Sequence, residues 1–428
     1  MSWKPALAAL LALGMLLPGC GAAPAPAPAP SEPPPASRAE EPAPGEPAPE
    51  PEPALPPEPL GIGEAVFSDA GELTPGQQEV ILAFVTRYYD SLALLEPREL
   101  ADLFAPGAEG QCWGNRAVLE FSAGVRGMQP ADLSLTGWSS QMAVTEAEEQ
   151  EDGSLQLQVS EDSVQHFAAA PGVDSRQLGV RHRFVLVPGE GADGWLLSGH
   201  SQMDTLFWTV MGRYAWGSPS AGGSEDYYAR RVAQLLETAR ADMGERLARG
   251  TEQPSAARNP YDREAAVAYA REWVGKRNPR WPDYSRNGGN CQNFVSQCLL
   301  AGGIPMDISA PGVWKWYGET PDNLFRAAGR SAAWSSVQDF HAYAEENAGY
   351  GLAAAVDVPY YTGSAGDVLH LGTRDRWRHT VIISRVVTDG NGDTVDYLVC
   401  SNTADLIDFP AGAYVYTRQA LVRIDGSF

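Results

Sequence analysis

Residues 21–60 constrain the fold more than any other stretch of this chain. They run in near-repeats of proline, alanine and glutamate, APAPAPAPSEPPP and then EPAPGEPAPEPEPALPPEP. Proline fixes φ and has no N–H to donate, so neither a helix interior nor a central strand can pass through such a run. The composition predicts a disordered, extended polyproline II spacer, held open by its like charges. At ~3.1 Å per residue its reach would be on the order of 100 Å. Any core must be built downstream, from about Ile62.

With 428 residues the chain has room for two or three domains. Its formal net charge of −23 argues against a nucleic-acid partner and against electrostatic docking to anionic lipid. The five cysteines, at 20, 112, 291, 298 and 400, show neither a zinc spacing nor a paired framework, and no H-x-x-x-H or H-x-H occurs. Asp389 to Asp393 resembles a calcium loop only faintly, since Thr394 stands at the glycine position and Cys400 at the glutamate position. No metal or cofactor is expected, and nothing in the pattern sets an oligomeric state.

Residues 1–19 read as an export signal, with Lys4 as a short basic start and an apolar run from Ala6 to Leu17. The run ends Leu17-Pro18-Gly19-Cys20, which resembles the bacterial lipobox. That resemblance implies a lipoprotein: the signal is removed and the Cys20 sulfur carries a lipid that tethers the chain to a membrane outside the cytoplasm. A long spacer on such an anchor suggests work away from the bilayer, in or through a cell wall.

Residues 61–216 read as a first α+β domain. Thr74-Pro75-Gly76-Gln77 predicts a helix start, followed by Val80, Ile81, Phe84, Val85, Tyr88 and Leu92 at helical spacing. Pro97 predicts a second helix with Leu100, Leu103 and Phe104, and strands are predicted around 133–145, 154–167, 177–187 and 194–202. Two helices before a run of antiparallel strands resembles the cone-shaped nuclear-transport-factor-2-like fold. No catalytic constellation is legible there: His166, His182 and His200 lie on or beside strands with no neighbouring carboxylate, and Cys112 beside Trp113 reads as a buried small residue. The domain reads as a spacer, dimerisation or binding module. Residues 217–257 read as a small-residue linker and a connecting helix capped by Ser224.

In residues 258–428 the pattern changes. Asn287-Gly288-Gly289-Asn290-Cys291-Gln292-Asn293-Phe294-Val295-Ser296-Gln297 places a cysteine at the start of a short helix, which ends at Gly302-Gly303. Unpaired N–H groups there favour a thiolate and form an anion site beside Asn290 and Gln292. Strands dominate the end of the chain. His379 heads an apolar run, and a hairpin through Asp389-Gly390-Asn391-Gly392-Asp393 brings back Val399-Cys400-Ser401-Asn402. Cys291 as nucleophile, His379 as general base and Asn402 as its orienter make one hydrogen-bonded chain. His370 is the rival base, because alternation in Val368-Leu369-His370-Leu371 leaves its direction open. Cys298 and Cys400 read as packing, and Trp314, Trp316 and Tyr317 either wall a substrate cleft or belong to the core.

The strings Tyr261…Tyr269-Ala270, Asn278-Pro279, Gly288 to Gln297, Gly302-Gly303, Gly366-Asp367 and His379-Thr380 resemble the putative amidase domain family of bacteria, related to NlpC-type and CHAP cysteine peptidases. The resemblance covers about 170 residues and implies a papain-like α+β fold and a cysteine amidase or peptidase. Two positions depart from the family's pattern, which has Asp where Asn290 stands and His where Asn402 stands. The expected activity is hydrolysis of an amide bond, with peptide or peptidoglycan of the cell wall as substrate. The alternatives are a non-catalytic lipoprotein that binds wall peptides or a partner, and a transferase that passes the acyl group to an amine.

Overall fold

Local signals set most element starts, and packing decides how they combine. The computed structural model describes residues 57–189, 194–212, 223–286, 288–307, 309, 313–316, 330–373 and 375–428. The export signal, Cys20, most of the spacer, the linker at 213–222, Asn287 and Tyr317 lie outside the described residues.

Strand β1 (Gly63–Asp69) precedes helix α1 (Pro75–Leu94). The predicted cap forms: Thr74 Oγ1 accepts from Gln77 N, and Gln77 Oε1 accepts from Thr74 N at 2.8 Å. The second predicted helix is corrected. Only a 3-10 turn, Ala101–Leu103, forms there, and Gly107 at φ 89° breaks the chain before α2 (Glu109–Gly127). Glycine dilutes the apolar periodicity of α2, which hides it from a pattern reading. At Gly114 an added Cβ would come within 2.4 Å of Met211 Cε, the end of a flexible side chain that has room to shift only by repacking beside Tyr228.

Four predicted strands appear as β2 (Leu135–Glu149), β3 (Leu155–Phe167), β4 (Ser175–Pro188) and β5 (Trp195–Gln202). Helix α3 (Thr205–Met211) follows, then α4 (Glu225–Ala248), capped by Ser224 as predicted. Helix α4 is no solvated connector: Tyr228, Val232 and Ala239 are buried with α2 residues Ala117, Val118 and Phe121. Helices α5 (Arg263–Trp273), α6 (Cys291–Ala301), α7 (Ala332–Ser335) and α8 (Val337–Glu346) precede β6 (Leu352–Val356), β7 (Val368–Thr373), β8 (Arg376–Thr388), β9 (Thr394–Ser401), β10 (Asp405–Pro410) and β11 (Arg418–Ser427).

The result is a mixed helix-and-sheet fold in which the eleven strands of the described residues form one, mostly antiparallel sheet in the order β1-β2-β3-β4-β10-β9-β8-β7-β11-β6, with β5 also on β4. Strand β10 is the join. It pairs with β9 on one side and with Gln177 and its neighbours in β4 on the other, and Leu406 and Phe409 enter the core that α1 and α2 cover. The parts read from sequence as 61–216 and 258–428 therefore share one sheet. Among the described residues no helix is long and apolar enough to cross a membrane.

The histidines of the first half have partners that sequence proximity hides. His182 Nε2 lies 2.9 Å from Glu161 Oε2, and its Nδ1 lies 3.1 Å from His200 Nε2. His200 Nδ1 in turn meets Asn115 Oδ1 at 2.6 Å. The expectation of no nearby carboxylate is corrected, because the pairing of Val159 with His182 sets Glu161 diagonally across from the ring. His166 also has one, at 3.0 Å from Asp174 Oδ1.

Candidate active site

Helix α6 begins at Cys291 because the chain turns sharply before it. Gly288 and Gly289 take φ of 102° and 116°, a region that side-chain-bearing residues disfavour. Asn290, the N-cap residue, does not cap the helix with its side chain. Its Oδ1 accepts from Tyr284 N at 3.1 Å and from Asn293 Nδ2 at 2.9 Å, while its own N–H donates to Thr403 Oγ1 at 2.7 Å. Thr403, although β-branched, is held at φ 72°, so the β9–β10 turn stores strain at the site.

The thiol's setting differs from the sequence-based expectation. Burial pushes the Cys291 thiol up, against the pull of the backbone N–H groups of Thr380, Gln292 and Cys291 itself. Desolvation outweighs the helix start. His379 is also buried, and burial alone brings its pKa down to about 4. At neutral pH the resting pair is a thiol and a neutral imidazole.

A bulge in β8 aims His379. Leu371 pairs with His379 but Gly372 pairs with Trp377, so Trp377 and His379 fall on opposite faces of the sheet despite their spacing. His379 Nε2 lies 2.8 Å from Ser401 Oγ, and the ring packs beside Tyr414 and Tyr416. Cys291 and His379 line one cavity of about 290 Å³. Among the described residues no hydrogen bond joins them directly; the cavity is what they share. His370 does not line it: its Nδ1 lies 2.9 Å from His341 Nδ1, and the ring is fully buried.

The predicted partner of His379 is displaced by one residue. Ser401 meets the imidazole, whereas Asn402 accepts on Oδ1 from Asn290 Nδ2 at 2.7 Å and leaves its Nδ2 buried without a partner. Ser401 is the last residue of β9, whereas Asn402 already lies in the β9–β10 turn, which carries its side chain to Asn290. Gln292 is buried, donating from Nε2 to Ser296 Oγ at 3.3 Å. Trp314 is fully buried, stacks on Trp334 and donates to Ser296 Oγ at 2.9 Å; neither it nor Trp316 lines the cavity. Cys112, Cys298 and Cys400 are buried free thiols.

The rest of the cavity wall was not legible in the sequence. Tyr88, Arg126, Gln177 and Asp204 reach it from the first half, and Tyr414 and Tyr416 from the turn before β11. A last-turn arginine such as Arg126 reads as an ordinary solvated helix-end cation, and only the tertiary fold buries it.

Residues 260–424, the segment that contains Cys291, His379 and Ser401, match the family described as "Putative amidase domain". The match suggests an amide-hydrolysing function for this part of the chain, a hydrolase acting on C–N bonds. Over 46 residues the chain is also 54% identical to "Uncharacterized protein YhbB" of Bacillus subtilis (strain 168), a similarity covering 11% of this chain and 14% of that protein. No solved structure matches.

Proposed function

We propose that this protein is a membrane-tethered, extracytoplasmic cysteine amidase or peptidase that hydrolyses an amide bond in cell-wall peptide. The observation that carries the reading is the shared cavity, with Cys291 at the first position of α6 and His379 across it. In the reaction, Cys291 Sγ attacks the amide carbonyl as His379 Nδ1 takes the thiol proton. Backbone N–H groups at the start of α6 hold the oxyanion. His379 returns the proton to the leaving amine, and water then hydrolyses the thioester. Ser401 holds the imidazole through Nε2, and Asn402 acts one step back, by fixing Asn290. In this reading the C-terminal part is papain-like and the first part a cone of the nuclear-transport-factor-2 type. The lipobox at Cys20 and the spacer supply the location and the wall substrate.

The neutral resting pair favours one other reading, a lipoprotein that binds wall peptides without cutting them. Purified peptidoglycan separates the two. The enzyme releases new amino groups, Cys291→Ala abolishes the release, and the variant still binds. Equal release from wild type and Cys291→Ala would remove the cysteine mechanism, and no release from either, with binding intact, selects the second reading.

A further inference from the structure

Arg126 carries a buried charge that the fold leaves largely unpartnered. It lies in the last turn of α2, is only 5% exposed, and its guanidinium stands 5.3 Å from the Phe167 ring centroid. Its Nε and Nη1 are buried without a hydrogen-bond partner, and among the described residues it makes no salt bridge. The acidic residue of the cavity wall is engaged elsewhere: Asp204 Oδ1 accepts from Phe207 N at 2.7 Å, and Oδ2 accepts from Gln202 Nε2 at 2.6 Å. An arginine does not lose its charge at any relevant pH, and a buried charge without a partner is costly. Yet Arg126 lines the same cavity as Cys291 and His379.

We propose that Arg126 docks a carboxylate of the ligand, so that the cavity takes amides from peptide fragments that carry a free carboxylic acid. This rests on the reading of Cys291 as the reacting group, but it adds the substrate class. The planar guanidinium fork matches a carboxylate, and filling it supplies the acceptor that the fold withholds. A single buried cation suits a single negative charge. Asp204 on the same wall disfavours a phosphate dianion. The docking residue comes from the first half of the chain and the nucleophile from the second, so the shared sheet sets the distance between them.

The test uses N-acetyl ω-amino acids of increasing chain length, their N-methyl amides, and methyl phosphate, with binding read by calorimetry and by protection of Cys291 from alkylation. Wild type and Cys291→Ala bind a carboxylate of one preferred length and not its amide. Arg126→Gln loses at least about tenfold in that affinity, the scale of a charge-assisted hydrogen bond, and Arg126→Lys keeps part of it. Equal binding of acid and amide, equal binding of methyl phosphate, or unchanged affinity in Arg126→Gln overturns the proposal. None of these readouts needs turnover. If Cys291→Ala still hydrolyses peptidoglycan, the catalytic reading fails while the carboxylate preference is decided on its own.

Discussion

Asn290 Nδ2 donates to Asn402 Oδ1 at 2.7 Å, joining two residues 112 positions apart directly behind the candidate nucleophile. Asn290 supplies the donor and Asn402 the acceptor, so this one hydrogen bond satisfies a buried polar atom on each side.

That relationship predicts unequal costs. Asn290→Ala strands Tyr284 N and Asn402 Oδ1 and leaves Asn293 Nδ2 only its bond to Pro282 O, and it should lower stability by about 2 kcal/mol or more. Asn290→Asp should cost less than about 1 kcal/mol, because the Asn402 amide can rotate and donate its partnerless Nδ2. Denaturant unfolding of both variants checks the order, and similar losses would contradict it.

Ser401 is expected to act through the imidazole. Ser401→Ala should lower kcat roughly 10- to 100-fold, within the usual worth of a positioned acid–base group, while KM stays within about twofold. Asn402→Ala should weaken the Asn290 contact and show its effect in stability first. Steady-state kinetics beside thermal unfolding separates the two roles. A rise in KM without loss of kcat in Ser401→Ala would place the serine among substrate contacts instead.

The resting charge state predicts a pH profile. With His379 near 4, the base is competent from about pH 5 upward, and the raised thiol delays ionisation at the alkaline end. Activity should show an acid limb near pH 4 and a broad plateau above it. Iodoacetamide should alkylate resting Cys291 slowly at pH 7 and faster with rising pH. Rapid, pH-independent alkylation between pH 5 and 8 would reveal a preformed thiolate.

Stability should fall on acidification. His200, His370 and His379 are held neutral by burial, so their folded pKa values lie below the unfolded value near 6.5. Their contribution is present above pH 6.5 and is lost as pH falls; for His379, at about 4 in the folded protein, the loss at pH 5 is roughly 2 kcal/mol. Asp204 and Asp396 oppose this: burial raises each to about 6, so protonation in the folded state returns roughly 1.4 kcal/mol apiece by pH 5. Three imidazoles held neutral against two raised carboxyls leave a net loss, and thermal unfolding should show lower stability at pH 5 than at pH 7.

Much of the local structure was legible in the chain. The capping box at Thr74, the cap at Ser224, the helix start at Cys291 and the four strands β2 to β5 all rest on spacing within a few residues. The same signals failed where packing replaces periodicity, as in glycine-rich α2 and in β1 and β10, whose stability depends on strands far away in sequence.

By itself, the sequence determined which residues could do chemistry: a cysteine on a glycine approach, and histidines near the ends of apolar runs. The tertiary structure alone decided which of them meet. Register and a single bulge turned His379 and Ser401 to one face and left Asn402 for Asn290. Burial, a property of the whole fold, raised the thiol, lowered the imidazole and enclosed Arg126 with its Nε and Nη1 lacking hydrogen-bond partners. Side-chain periodicity is encoded within a few residues, whereas desolvation and strand register are set by partners beyond that window, from the neighbouring strand to residues 112 positions away.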